Sequence, residues 1–226
     1  MSIIETKNLF KTYEGAVPVH AVNGVDLQID AGEFTAIVGP SGSGKTTLLN
    51  IIGGLDSPTE GEVWIDGVNL AELKGNQLID FRLNNIGFVF QAYNLIPVLT
   101  ARENMEFVML LQKQSQEKRD TRVQELAHAI GLEDRLHHRP QALSGGQQQR
   151  VAVARALAPS PKFILADEPT ANLDSKSTAN LLDIMLDLNQ REGTTFLFST
   201  HDQRVIDRAR RVITLEDGKI LTDEVR

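Results

Sequence analysis

The 226-residue chain contains no cysteine. That rules out disulfides and thiolate metal sites and fits a reducing compartment. No run approaches the roughly 18 consecutive apolar residues of a membrane-spanning helix. The opening MSIIETKNLF places Glu5 and Lys7 where a signal peptide would carry its apolar stretch, so a cytoplasmic location is expected. A basic excess is missing too: 23 Lys+Arg stand against 30 Asp+Glu, a net charge of -7, which disfavours sequence-independent binding of nucleic acid. Internal repeats and low-complexity segments are absent. What the chain has is ordinary globular composition, 41% hydrophobic and 23% charged, enough for one large domain with a substantial core.

The first third reads as strand-rich. Ile3–Leu9, Val22–Ile29 and Phe34–Val38 alternate or run apolar between turn residues. The run FTAIV at Phe34–Val38 has the continuous apolarity of a strand buried on both faces. Lys45–Ile52 reads as helix, Glu62–Ile65 as a strand ending in the turn pair Asp66-Gly67, and Ile86–Phe90 as another buried strand. From Ala101 to about Leu157 the pattern is helical, with breaks at Gly131 and Pro140. A strand at Phe163–Ala166, a helix at Ser175–Gln190 and a strand at Thr194–Ser199 follow. In that helix Leu181, Leu182, Met185 and Leu188 share one face. Arg211–Glu216 and Lys219–Thr222 around Asp217-Gly218 form a hairpin pattern. The alternation predicts an α/β fold, a mostly parallel sheet with helices on both faces.

The segment GPSGSGKTT comprises Gly39, Pro40, Ser41, Gly42, Ser43, Gly44, Lys45, Thr46 and Thr47, and it matches G-x-x-x-x-G-K-[ST] between a strand and a helix. Its glycines let backbone N–H groups converge on phosphate oxygens, and the helix adds its positive end. Lys45 can reach the β- and γ-phosphates, and the Thr46 hydroxyl can ligate Mg²⁺. FILADE at Phe163–Glu168 is a buried strand ending in two carboxylates. Asp167 is the metal-side acid, and Glu168 then lies where it can orient and polarise water for in-line attack.

A second phosphate-cradle pattern, ALSGGQQQR at Ala142–Arg150, resembles the signature motif of ABC-type ATPases, and the order of all the motifs agrees along the chain. The resemblance implies a P-loop NTPase core with a mostly parallel sheet, an N-terminal antiparallel β subdomain and an inserted α-helical subdomain. The expected organisation is a single domain over 1–226, with its core at about 1–91 and 158–226 and the helical part at about 92–157. It also implies a head-to-tail homodimer around two ATPs. Ser144, Gly145, Gly146 and Gln147 of one copy then cap the nucleotide in the other's cradle, with N–H groups, a hydroxyl and a helix N-terminus facing the γ-phosphate.

Other site residues follow from the same resemblance. Tyr13 looks like the aromatic that stacks on adenine, though an ordinary strand aromatic is the competing reading. Gln91, after IGFVF, looks like the glutamine that contacts Mg²⁺ and water. His201, after TTFLFST, resembles the histidine that contacts the γ-phosphate, at the strand end where ligands gather in open α/β sheets. Asp174 in ANLD would touch the opposite subunit; Ala171 stands where serine is commoner and removes one hydroxyl. His20, His128, His137 and His138 have no ligand-like spacing and read as structural or solvated.

A chain without a membrane span needs a separate membrane permease to be a transporter component. Leu95, Ile96, Pro97, Val98 and Leu99, after Gln91, stand where the family forms its docking groove, although packing of the helical part accounts for some of them. The expected location is therefore peripheral, on the inner face of the cell membrane. The phrases TYEGAVPVHAVNGVDL, GFVFQAYNLIPVLTARENM and HRPQALSGGQQQRVAVARAL look like the group of lipoprotein-releasing, macrolide-export and cell-division ATPases. With residues 202–226 after His201, the regulatory domain of many sugar-importer ATPases is not expected. The competing readings are a soluble ABC ATPase acting on ribosomes or DNA, which needs a second nucleotide domain or a long coiled-coil arm, and a P-loop kinase, which leaves ALSGGQ unexplained.

Overall fold

The computed structural model describes residues 2–226. Strands β1 (Ser2–Tyr13) and β2 (Val19–Asp30) form a long antiparallel hairpin, and β3 (Phe34–Val38) leads into helix α1 (Lys45–Ile52). Next come β4 (Glu60–Ile65), β5 (Val68–Asn69), α2 (Asn76–Asn85) and β6 (Ile86–Phe90). Three helices follow, α3 (Ala101–Leu111), α4 (Gln116–Ala129) and α5 (Gly145–Leu157). The chain ends with β7 (Phe163–Asp167), α6 (Ser175–Glu192), β8 (Thr195–Thr200), the single turn α7 (Gln203–Ile206), β9 (Arg211–Glu216) and β10 (Lys219–Val225).

Among the described residues the strands form two sheets. The smaller is antiparallel in the order β2-β1-β4-β5, and the larger runs β10-β9-β3-β8-β7-β6. The pairs β9-β3, β3-β8, β8-β7 and β7-β6 are parallel, and β10 adds an antiparallel edge. The tail hairpin turns through Asp217 and Gly218, both at positive φ, the geometry that matches the twist of paired strands.

Continuous apolarity in the central strands follows from coverage on both faces. Along β7, Phe163 and Leu165 enter one core while Ile164 and Ala166 enter the other; along β8, Leu197 goes one way and Phe196 and Phe198 the other. The two-residue period of a strand makes this division. One core joins the large sheet to α1 and the small sheet. The other joins it to α3, α4, α5 and α6, so the helical insertion shares its core with the sheet. Burying both faces at roughly 1.5–3 kcal/mol per large apolar side chain is what holds the short parallel strands in register.

Two differences from the sequence expectation are local. The helical stretch also breaks at 112–115, where Lys113 turns to φ 60° and the Ser115 side chain accepts from Lys118 N to start α4. Helix α2 has no fully buried residue, so no apolar stripe announced it. Among the described residues no helix is long and apolar enough to cross a membrane.

Candidate active site

Parallel register brings the functional segments to one edge. Val38 pairs with Thr200, Asp167 with Ser199, and Phe90 with Asp167. Gly39, Gln91, Glu168 and His201 each follow the C-terminal end of one of these strands, so four loops open on the same crevice. That crevice is a cleft of about 750 Å³, lined by Tyr13, Val19, Ala21, Gly39, Pro40, Ser41, Gly42, Gly44, Lys45, Thr46, Thr47, Gln91, Glu168, Ala171 and His201. No other histidine lines it; His128 pairs with Glu133 and His20 with Thr12 instead.

The glycine-rich loop ends at Gly44, which caps α1 with φ 100° and no side-chain hydrogen bond. The first-turn N–H groups of α1 therefore keep their capacity to bind an anion. Gly44 also has a packing reason: a Cβ there would lie 2.0 Å from the Ala21 carbonyl oxygen. The loop is pressed against β2, and only a residue without a side chain fits. Lys45 is 8% exposed, and its Nζ donates to the carbonyls of Gly39 at 2.8 Å and Pro40 at 2.9 Å. The ammonium is thus held over the loop by weak acceptors that a phosphate oxygen can replace.

The Thr46 hydroxyl donates to Asp167 Oδ1 and Oδ2 at 3.0 and 3.1 Å. These are hard oxygen donors, few in number, and among the described residues no group of three or more His, Asp or Glu could hold a metal. Such a set fits Mg²⁺, which takes one or two protein ligands, waters and nucleotide phosphates.

Glu168 has φ 46°, a left-handed backbone uncommon outside glycine and of the kind that collects at reactive sites. Its N–H donates to Ser199 O at 2.8 Å, Thr200 Oγ1 donates to Oε2 at 3.3 Å, and His201 Nδ1 meets Oε1 at 2.7 Å. The Glu168 side chain is 16% exposed and that of His201 73%. The carboxylate is thus aimed from a fixed backbone, and the imidazole stands at the rim. Asp202, next to His201, accepts from Thr170 Oγ1 and from both the side chain and backbone N–H of Arg204. The Arg204 side-chain hydrogen bonds outweigh burial and hold Asp202 below the usual carboxylate range. Tyr13 is 42% exposed at the mouth of the cleft.

Ser144, Gly145, Gly146 and Gln147 do not line this cleft. Ser144 caps α5 in a reciprocal box, its Oγ accepting from Gln147 N at 3.3 Å while its own N–H donates to Gln147 Oε1 at 2.8 Å. The Ser144 hydroxyl proton stays available to an external acceptor. Gly146 packs against Ser177 Oγ, whose hydroxyl donates to Asp174. Asp174 caps α6 by accepting from Ser177 N at 2.9 Å, so the two segments form one patch. Gly145 leaves room for the Tyr93 hydroxyl, which would lie 2.8 Å from a Cβ there. Arg155, further along α5, donates to the carbonyls of Tyr93 and Asn94, two successive residues at positive φ.

Sequence reasoning missed Gln149. It is fully buried and donates through Nε2 to Pro169 O at 2.7 Å and Phe90 O at 3.4 Å. It ties α5 to the chain beside Gln91 and Glu168, and nothing in QQQ distinguishes it from its neighbours. Lys11 and Asp56, which meet Tyr13, were missed as well.

Residues 22–171 match the ABC transporter family. The fold superposes on the dimeric, post-hydrolysis structure of the ATP-binding cassette MJ0796 bound to ADP and Pi, with a TM-score of 0.90, 46% identity and 98% of each chain covered; that protein comes from Methanocaldococcus jannaschii. The lipoprotein-releasing system ATP-binding protein LolD of Syntrophotalea carbinolica is 45% identical, with 97% of each chain covered. The macrolide export ATP-binding/permease protein MacB of Hyphomonas neptunium is 47% identical over 98% of this chain and 34% of its own length. The chain belongs to the ABC transporter family and is its ATP-binding, ATP-hydrolysing cassette.

Proposed function

We propose that the chain binds ATP with Mg²⁺ in the cleft and hydrolyses it only when two copies close head-to-tail. Ser144–Gly146 and Asp174 of each copy then face the nucleotide held by Lys45 of the other. One observation carries this reading: the signature segment lies outside the cleft lined by Lys45 and Glu168. An anion-binding helix start placed away from its own cradle serves a nucleotide only if a second molecule brings one.

Lys45 and the first-turn N–H groups of α1 bind and orient the phosphates. Thr46 and Asp167 would hold Mg²⁺, with Gln91 beside it; when bound, the ion neutralises charge on the phosphate oxygens. Glu168 accepts a hydrogen bond from the attacking water and aligns its lone pair with the γ-phosphorus. His201 steadies the carboxylate through Nδ1 and can turn Nε2 to the γ-phosphate. Tyr13 offers the base a stacking face.

Coupling to a separate membrane permease runs through the loop after Gln91. A groove of about 340 Å³ beside it includes Phe88, Phe90, Ile96, Phe107 and Val108, and Val98 is 70% exposed. An apolar groove of this kind suits a short permease helix. The chain then works on the inner face of the membrane, against that permease.

Mixing two inactive variants tests the shared site. Lys45→Ala and Ser144→Arg chains, each silent alone, should regain ATP turnover when combined, because one composite site per heterodimer is intact. Absence of any rescue, with both variants folded and able to dimerise, counts against shared sites.

A further inference from the structure

The Tyr13 ring is held from two sides. Its hydroxyl donates to Asp56 Oδ2 at 2.8 Å. Lys11, two residues earlier and so on the same face of β1, places Nζ 4.9 Å from the ring centroid. That ammonium is fixed in turn by Asp56 Oδ1 and Ser57 O, both at 2.7 Å. Asp56 also accepts from Ser57 N at 2.7 Å, and the loop it belongs to is stitched to β1 by Thr12 N donating to Thr59 Oγ1 at 2.9 Å. The Lys11 side chain is 13% exposed, far more enclosed than a lysine serving only a surface ion pair. Burial pushes the Asp56 carboxyl up, but the hydrogen bonds from Lys11, Tyr13 and Ser57 outweigh it and hold the group below its ordinary value. The carboxylate therefore stays an acceptor for both neighbours.

We propose that Lys11 and Asp56 are positioning residues for the nucleotide base. Asp56 fixes the tip of the Tyr13 ring and Lys11 covers one face, which leaves the opposite face to stack on a purine. This deepens the reading of Tyr13 as the base platform and rests on it. Val19, the cross-strand partner of Tyr13 on β2, lines the same cleft, so apolar surface continues from the ring toward the phosphates. A tyrosine with its tip and one face already fixed loses little freedom when a base lands on it. The ammonium also draws the ring's π density toward itself, which lessens repulsion between the other face and the base.

The test compares ATP with inorganic tripolyphosphate, which carries the phosphates without a base, in direct binding to the full chain with Mg²⁺. Lys11→Met keeps the stem and removes the charge. It should weaken ATP about threefold to tenfold and leave tripolyphosphate unchanged. Asp56→Asn should shift affinity in the same direction, and Lys11→Arg should restore ATP affinity by returning a cation to the ring. If Lys11→Met weakens both ligands equally, the cluster only supports the fold and the proposal is overturned. Unchanged ATP affinity in Lys11→Met, with a loss in Tyr13→Ala, overturns it while sparing the platform. A Tyr13→Ala variant with normal ATP affinity overturns the platform and the proposal together.

Discussion

His201 Nδ1 and Glu168 Oε1 lie 2.7 Å apart, across the ends of neighbouring parallel strands. When Nδ1–H donates to the carboxylate, a neutral imidazole has only an acceptor at Nε2. The ring can offer N–H to an anionic phosphate only as imidazolium or after releasing Glu168. A neutral ring paired in this way therefore presents an acceptor, not a donor, at Nε2.

Glu168→Gln keeps the shape but weakens the acceptor for the water proton. ATP should still bind, turnover should fall by about 10²–10⁴, and dimers should accumulate in size-exclusion chromatography with ATP. Undiminished phosphate release would assign the water to another residue.

Removing the Thr46 hydroxyl should appear as a metal defect. In Thr46→Val the Mg²⁺ concentration for half-maximal turnover should rise by at least the roughly 10–100-fold that loss of even an outer-shell partner costs. A magnesium titration identical to the unaltered protein would take Thr46 out of the metal site.

The glycine-rich loop allows a stability comparison. Gly44 and Gly42 both have positive φ, but a Cβ on Gly44 would strike the Ala21 carbonyl, whereas nothing lies within 4 Å of one on Gly42. Gly42→Ala should cost about 1–2 kcal/mol of backbone strain. Gly44→Ala should cost about 3 kcal/mol or more, roughly a 6–12 °C lower melting temperature. Equal losses in thermal unfolding would mean that contact with β2 is unimportant.

Asp202 gives a pH prediction with a fixed sign. Its folded value is depressed, chiefly by the side-chain hydrogen bonds from Arg204. Its stabilisation is therefore present above the unfolded value near 3.9 and is lost as pH falls through the folded one. Asp202→Asn should be less stable by about 1 kcal/mol at pH 7, and the gap should begin to narrow below about pH 4 and vanish below the folded value. Urea unfolding at several pH values measures it; a gap independent of pH would show that charge on Asp202 is irrelevant.

Much of this was legible in the sequence because the relevant residues are contiguous. Strand, loop and helix around GPSGSGKTT declare themselves, and FILAD is apolar because both faces of β7 are covered. Relationships made by folding were not legible. Lys11 and Asp56 are 45 positions apart, and only the smaller sheet brings them to Tyr13. Gln149 is one of three consecutive glutamines until burial separates it. Helix α2 escaped because none of its side chains is fully buried, so the pattern carried no period to read.

Arg155 and Gly145 lie near opposite ends of α5, a rod about 20 Å long at 1.5 Å per residue. Both engage Tyr93, one through its carbonyl and the other by yielding space to its hydroxyl. Dragging the segment after Gln91 sideways must either tear the guanidinium from its two carbonyls, at roughly 1.5–3 kcal/mol for each charged hydrogen bond, or carry the rod along. Because Val151, Val153 and Leu157 bury α5 in the core, this link fastens the segment after Gln91 to the same packed body as the serine-capped start of the helix.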